Sequence, residues 1–410
     1  MWVSTVPELE PCLDILFVGL LPPFPGGGAI SPGEILAGLA GDNHRIRAVA
    51  PITAQGLRDG DEYAARYPNV EVTRFLIPFY EVGPNNPAPP EYREIERQGV
   101  REILPALIAR RRPDVVVAGR ETFAWDLPDI AAAHAIPSVL RISGSVTLAL
   151  RNGTYPRALA RPLLKQFRKF RLMIAQARHV ADALEALGFG NIAVIPNAVQ
   201  VSRFAPGPKP QALRRELAIA SDDVVVAHVS NLKSIKRPLD FVESASQALR
   251  EDPRLVYLVV GDGSYRSSME EACRGKGIAD RFRFVGWIEY DRMPEYLRLA
   301  DIVVMPSDEE QQARVYLETQ ACGRLLLASD IAGAKEVAVD SQTALLFRKG
   351  DIADLTAKTL LAARDPELRA RIGQEAHLRA QAWSTTEAVS AYADALRSLV
   401  QRAAVAGGTG

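Results

Sequence analysis

Asp301-Ile-Val-Val-Met-Pro306, followed by Ser307-Asp-Glu-Glu-Gln-Gln-Ala-Arg-Val-Tyr-Leu-Glu-Thr-Gln-Ala-Cys-Gly323, is the stretch on which the fold of this chain turns. The first part is a short apolar run and reads as a buried strand. From about Arg314 the pattern is helical, with Val315, Leu317, Ala321 and Cys322 on and around one side. Glu310 and Glu318 bracket the strand-to-helix turn. In an open α/β sheet, ligands sit outside the carboxyl ends of strands. The two glutamates are therefore either ligand groups or solvated acids at the favourable end of a helix dipole.

A chain of 410 residues exceeds what one core usually holds, so two domains are expected. Its 49 basic and 49 acidic residues balance, which argues against a nucleic-acid partner. Cys12, Cys273 and Cys322 are widely spaced and form no Cys-x-x-Cys. That pattern fits a reducing compartment and speaks against structural zinc. The first residues carry no basic signal region, and no apolar run has membrane-spanning length. The expectation is a soluble, cytoplasmic protein, with weak contact to a membrane surface at most.

In chain order, Asp14-Ile-Leu-Phe-Val-Gly19 is a strand that opens into Gly26-Gly27-Gly28 and a helical pattern with Ile30, Ile35, Leu36 and Leu39. Backbone N–H groups and a helix start can approach a phosphate or sugar there. The Gly-x-Gly-x-x-Gly spacing of dinucleotide sites is absent. Further strand-like runs (Arg45–Ala50, Val70–Ile77, Val115–Ala118, Val139–Ile142, Met173–Ala175) alternate with helical segments. The proline-rich Pro84–Pro90 and an amphipathic helix over Tyr92–Arg110 lie between them. Alternating β and α segments imply a parallel sheet. Arg120-Glu121 and Ser143-Gly144 end two of these strands. Arg157–Arg178 is basic with apolar positions between the charges, and reads as a surface helix or one facing an anionic acceptor or membrane.

A polar stretch, Gln200–Gln211, reads as the linker, and the β-α alternation then restarts: Val224–Val229, Leu255–Val260, Phe282–Val285, Ile302–Met305, Leu325–Ala328, Ala344–Phe347. Ser230-Asn231-Leu232-Lys233-Ser234-Ile235-Lys236-Arg237 follows the first strand of this half. Three cations at a helix start are unfavourable unless an anion sits there. Gly261-Asp262-Gly263 and Gly286-Trp287 end two more strands. His228, inside an apolar strand, reads as a core histidine. A last helix is expected over Thr385–Val400, before a disordered tail, Ala403–Gly410.

These pieces, in this order, resemble the nucleotide-sugar domain of GT-B glycosyltransferases, most closely the retaining family-4 enzymes. The matching residues are Lys236, Gly261-Asp-Gly263, Phe284-Val-Gly286, Ala300–Ser307, the Glu-x7-Glu pair Glu310 and Glu318, Ala332-Gly333 and Leu346-Phe347. Gly27-Gly28, Pro113-Asp114, Ile136-Pro137 and Ile195-Pro196-Asn197 match more loosely. The resemblance implies an α/β fold of two doubly wound Rossmann-like domains facing each other across a cleft. An acceptor-side domain would cover 1–198 and a donor domain 199–383. A helix over 384–402 would return to the first domain, and 403–410 would be a tail.

The resemblance also implies site roles. Lys236 would stabilise the leaving diphosphate and Glu310 would act beside the donor sugar. Glu318 would hold the ribose, and Gly27, Gly28, Asn231, Lys233, Gly261 and Trp287 would line the nucleotide and diphosphate. Arg120, Glu121, Ser143, Gln311, Gln312 and Ala313 would lie near the donor sugar or acceptor. The donor would be a nucleotide-diphosphate sugar, UDP first, with GDP or another base open. The acceptor would be a small molecule, glycan or lipid-linked group, and neither cofactor nor metal is implied. Two departures stand out: the family commonly has glycine at the position of Gln311 and an arginine at that of Asn231. Two other readings remain, a GT-B-shaped binding or scaffold protein and a sugar-nucleotide 2-epimerase.

Overall fold

The computed structural model describes residues 12–24, 26–58, 60–78 and 90–407. The proline-rich stretch expected over Pro84–Pro90 falls outside these residues as far as position 89, and a helix, Pro90–Arg110, begins at its end. Two compact units are present, one of Met1–Ile195 with Ala388–Gly410 and the other of Pro196–Glu387.

In the first unit the strands are β1 (Asp14–Val18), β2 (Arg45–Ile52), β3 (Val70–Leu76), β4 (Val115–Ala118), β5 (Ser138–Ile142), β6 (Leu172–Ala175) and β7 (Ile192–Val194). All described pairings are parallel, in the order β3-β2-β1-β4-β5-β6-β7. Helices connect successive strands, so both faces of the sheet are covered. Inner strands are accordingly apolar runs rather than alternating, broken by the buried polar residues Asp14, Ser138 and Arg141, and every residue of β1, β4 and β5 is buried.

The second unit repeats the plan with β8 (Val224–Val229), β9 (Leu255–Val260), β10 (Phe282–Gly286), β11 (Ile302–Met305), β12 (Leu325–Ser329) and β13 (Leu345–Phe347). Their parallel order is β10-β9-β8-β11-β12-β13. Both sheets reverse direction once. The strand order switches between β1 and β4 in one sheet and between β8 and β11 in the other.

Three expectations are corrected. The stretch read as a linker, Gln200–Gln211, belongs to the second unit: Phe204 is fully buried in that core, and Lys209 pairs with Asp301 at 2.6 Å. The C-terminal helix runs from Thr385 to Gly407, so residues 403–407 are helical rather than a disordered tail. Alanine at 403, 404 and 406 has the highest helix propensity, which carries the helix on. Gly38 admits this helix, since a Cβ there would meet Val389 Cγ2 at 2.3 Å. The basic stretch Arg157–Arg178 is not one helix. It is a helix, Arg157–Phe167, then β6, then a second helix from Arg178, with Phe167 and Phe170 buried in the core.

Candidate functional site

The switch between β8 and β11 brings two loops together at the carboxyl edge of the second sheet, where ligands of open α/β sheets sit. After β8 the chain makes a 3-10 turn over Ser234–Lys236 and passes Arg237 in the left-handed region (φ 48°). It then starts the helix Pro238–Ala248, with proline at the first position, where a missing N–H costs nothing. After β11 the loop through Ser307 and Glu310 leads into the helix Arg314–Ala321. The backbone N–H of Asp308 donates to Ile235 O at 2.8 Å, which ties the loops to each other.

Lys236 and Glu310 meet across this switch. The Lys236 ammonium donates to Glu310 Oε1, and Ser307 Oγ donates to the same oxygen at 2.7 Å. Both side chains are largely buried. The three cations expected to require an anion are therefore partly provided for within the chain. Arg237 pairs with Asp240 and, at 3.2 Å, with Asp308, while Lys236 has Glu310. Lys233 starts the 3-10 turn, and its backbone N–H donates to Asn231 O at 2.7 Å.

The glycines of the motif series turn out to be matters of close approach. Gly261 has φ 117°, and a Cβ there would lie 2.0 Å from Ser230 O. Gly263 likewise packs against the backbone of Leu232, at 2.8 Å. At Gly333 a Cβ would sit 2.0 Å from Glu310 O. Gly261 therefore shapes the β8 loop by packing against Ser230, and Gly333 lets a short helix brace Glu310.

Glu318 lies in the helix after β11 and is almost fully buried. Tyr290 Oη donates to its Oε1 at 2.7 Å, and Arg314 Nε approaches the same oxygen at 3.3 Å. Tyr290 and Arg314 were missed in the sequence. A buried arginine in the first turn of a helix opposes the dipole, and that conflict was the available signal. Gln312 is also placed differently from expectation. Its Oε1 accepts from Asn197 N at 2.5 Å, and its own carbonyl accepts from Asn197 Nδ2 at 2.9 Å. Buried and bonded to Asn197 through both its side-chain and its backbone oxygen, it clamps the Glu310 loop. Gln311 is half-buried, with Nε2 3.5 Å from Glu309 Oε1, and Ala313 occupies the N-cap position of the following helix without a side-chain cap. Trp287, after β10, is 55% exposed on a surface hollow shared with Val285 and Tyr296. His228 is a core residue, as expected: burial holds its pKa down to about 4.

In the first unit, the loop after β1 carries Gly26 at φ 90°, and a Cβ at Gly26 or Gly28 would meet open space. Gly27 begins the helix Gly27–Gly41. Glu121, expected near substrate, is almost fully buried and spent internally. It accepts from Ser143 N at 3.1 Å, Ser143 Oγ at 2.5 Å, Gly144 N at 3.0 Å and Thr147 Oγ1 at 3.4 Å. It thereby caps the start of the helix Ser145–Arg151. Arg120 bonds Thr122 Oγ1 at 2.6 Å and stands 3.6 Å from Glu96. Burial pushes the Glu96 carboxyl up to about 7, and the Arg120 charge opposes this. Among the described residues, no three His, Cys, Asp or Glu side chains are grouped to hold a metal. Nor is any helix there long and apolar enough to cross a membrane.

The family model described as "Glycosyltransferase Family 4" matches residues 25–203, and "Glycosyl transferases group 1" matches residues 210–379. A D-inositol 3-phosphate glycosyltransferase of Geodermatophilus obscurus is 30% identical over 68% of this chain and 64% of its own length. A 2-deoxystreptamine N-acetyl-D-glucosaminyltransferase of Streptomyces fradiae is 30% identical over 51% of this chain and 50% of its own. The chain thus spans less than two thirds of either relative. The structure of Anabaena HepE in complex with UDP and glucose superposes with TM-score 0.77 at 20% identity, over 94% of this chain and 100% of that one. Two matching models, one on each half, and the two doubly wound sheets place the chain in the GT-B glycosyltransferases of the group 1, family 4 kind.

Proposed function

We propose that this protein transfers a sugar from a nucleotide-diphosphate sugar, UDP-linked, to a hydroxyl of a cyclitol-type acceptor, with retention and without a metal. The observation that carries the reading is the Lys236–Glu310 pair at the β8/β11 switch. A diphosphate arriving there would draw the ammonium away from Glu310. As the bond from the anomeric carbon to the diphosphate breaks, negative charge grows on the leaving oxygen, and Lys236 stabilises it. The acceptor hydroxyl attacks from the same face and gives its proton to the leaving phosphate, so no carboxylate pair at glycosidase spacing is needed. Glu310, released from Lys236, faces the positive charge developing on the sugar. Glu318 has Oε1 held by Tyr290 and Arg314, which presents Oε2 to the ribose hydroxyls.

The choice of donor base is suggested by the UDP of the HepE complex, and the acceptor class by the relatives' names. Inositol phosphate and 2-deoxystreptamine share a polyhydroxylated six-carbon ring. The test is incubation with UDP-glucose, UDP-N-acetylglucosamine and GDP-mannose against D-inositol 3-phosphate and 2-deoxystreptamine. UDP release and an α-linked product, undiminished by EDTA, are expected. A β-linked product sinks retention, and no release with any pair sinks transfer. The binding-only reading is favoured by the Gln312 clamp and the side chain at Gln311, and it predicts UDP binding without turnover on any donor.

A further inference from the structure

The floor of the β8/β11 switch holds a histidine that the site described above does not use. β8 pairs with β9 along its whole length, from Val224↔Leu255 to Val229↔Val260. Toward β11 its register covers only Val226↔Ile302 and Ala227↔Val303. One residue further on, the carbonyl of Val304 is met by a side chain, because His228 Nδ1 lies 3.0 Å from it. A carbonyl only accepts, so Nδ1 carries the proton, and Nε2 of the neutral ring is an acceptor. The neighbour of Nε2, at 2.8 Å, is Ser230 Oγ, which therefore donates inward.

Burial, the largest influence on the ring, favours neutrality. His228 is fully buried and packs on Phe241, with ring centroids 5.2 Å apart. Burial lowers its pKa most; the Val304 carbonyl opposes this, the Lys236 ammonium adds to it, and Glu310 opposes it. Ser230 is equally fixed by its backbone. Its N–H donates to Val260 O at 3.0 Å, and its carbonyl leaves no room for a Cβ at Gly261.

We propose that His228 is a positioning residue of the candidate donor site: its imidazole bridges β8 and β11 where their register ends and locks Ser230 as a hydrogen-bond acceptor at the floor. This rests on the reading of the switch as a nucleotide-sugar site. A serine whose proton is committed inward meets a ligand with lone pairs only. The ligand group above it is an O–H or N–H of the nucleoside or sugar, and a phosphate oxygen is disfavoured there.

Two measurements on the full chain test this. Nitrogen-15 NMR of the histidines reads the tautomer without any ligand. Nδ1–H with a bare Nε2 from pH 8 to pH 5 is expected, and a proton on Nε2 overturns the proposal. Calorimetric titration with UDP on Ser230→Ala, His228→Leu, the double variant and His228→Gln supplies the second readout. Each of the first two is expected to weaken UDP by about three- to tenfold, the loss of one neutral hydrogen bond. The double variant should be no weaker than the weaker single one, and His228→Gln, which keeps one donor and one acceptor, should stay within about twofold. A purely structural histidine would lower Tm, with its affinity loss multiplying that of Ser230→Ala, and this overturns the proposal. Unchanged UDP affinity in Ser230→Ala, with the wild type binding, overturns this role alone. A wild type that does not bind UDP overturns the donor reading and this role with it.

Discussion

The two sheets share a topology, and each has polar residues at the strand tips of its switch region, yet the tips are used in opposite ways. In the first unit the charges are closed on their own framework. Glu121 is consumed by Ser143, Gly144 and Thr147, Arg120 by Thr122 and Glu96, and Arg141 by Ser31 and Tyr392. In the second unit Lys236 and Glu310 come from different loops and are held mainly by each other. A pair of that kind can exchange partners for a ligand, whereas a carboxylate bonded to backbone N–H groups cannot do so without unseating a helix. Topology marks where a ligand can sit, and the partners of each charged group separate a site from a brace.

The contrast can be broken in several places. Lys236→Ala should cost turnover about a hundred- to a thousandfold, as removal of one preorganised charge at a leaving group does, and should also lower Tm, because Glu310 is left buried without its cation. A similar loss in Arg120→Ala would erase the distinction between the two switches. Glu121→Ala should instead lower stability by about 3 kcal/mol, because it strands buried donors at a helix start, while UDP affinity stays as in the wild type. Thermal unfolding and calorimetry read the two effects separately. Gly333→Ala should cost about 1–3 kcal/mol and also reduce turnover, since a Cβ 2.0 Å from Glu310 O must displace that loop. Stability loss with full turnover would show that Glu310 does not depend on this brace.

The smallest effect concerns Glu96. Its carboxyl is raised from 4.5 to about 7 in the folded chain. Below pH 4.5 both folded and unfolded chains hold the proton, and the group is neutral with respect to stability. Between about pH 4.5 and 7 the unfolded chain gives up the proton first, so stability falls as pH rises. Glu96→Gln should therefore be more stable than wild type by about 3 kcal/mol at pH 8 and equal to it at pH 4. Denaturant unfolding at the two pH values measures this, and equal stability at pH 8 would show the carboxyl to be ionised without cost.

Much of this architecture was legible in the residues. Unbroken apolar runs such as Val224–Val229 and Ile302–Met305 are what a strand covered on both faces requires, and their alternation with helices dictated two parallel sheets. Glu310 and Lys236 were legible because they recur in an ordered motif series. Contacts between residues far apart in sequence were not. Nothing near Gln312 announces Asn197, and nothing near Glu121 announces that Ser143 and Gly144 will take both its oxygens. The apparent linker, Gln200–Gln211, misled because polar composition hid Phe204, a single core anchor. The tail misled because its small residues, which suggest disorder, are also good helix formers.

The account stands most directly on one titration: UDP into the wild type and into Lys236→Ala, followed by calorimetry at moderate salt. It predicts binding by the wild type and a loss of about tenfold or more in the variant, as expected when a buried charge contact to an anion is removed. Equal affinity in the two chains would contradict it, because the diphosphate would then sit somewhere other than the Lys236–Glu310 switch.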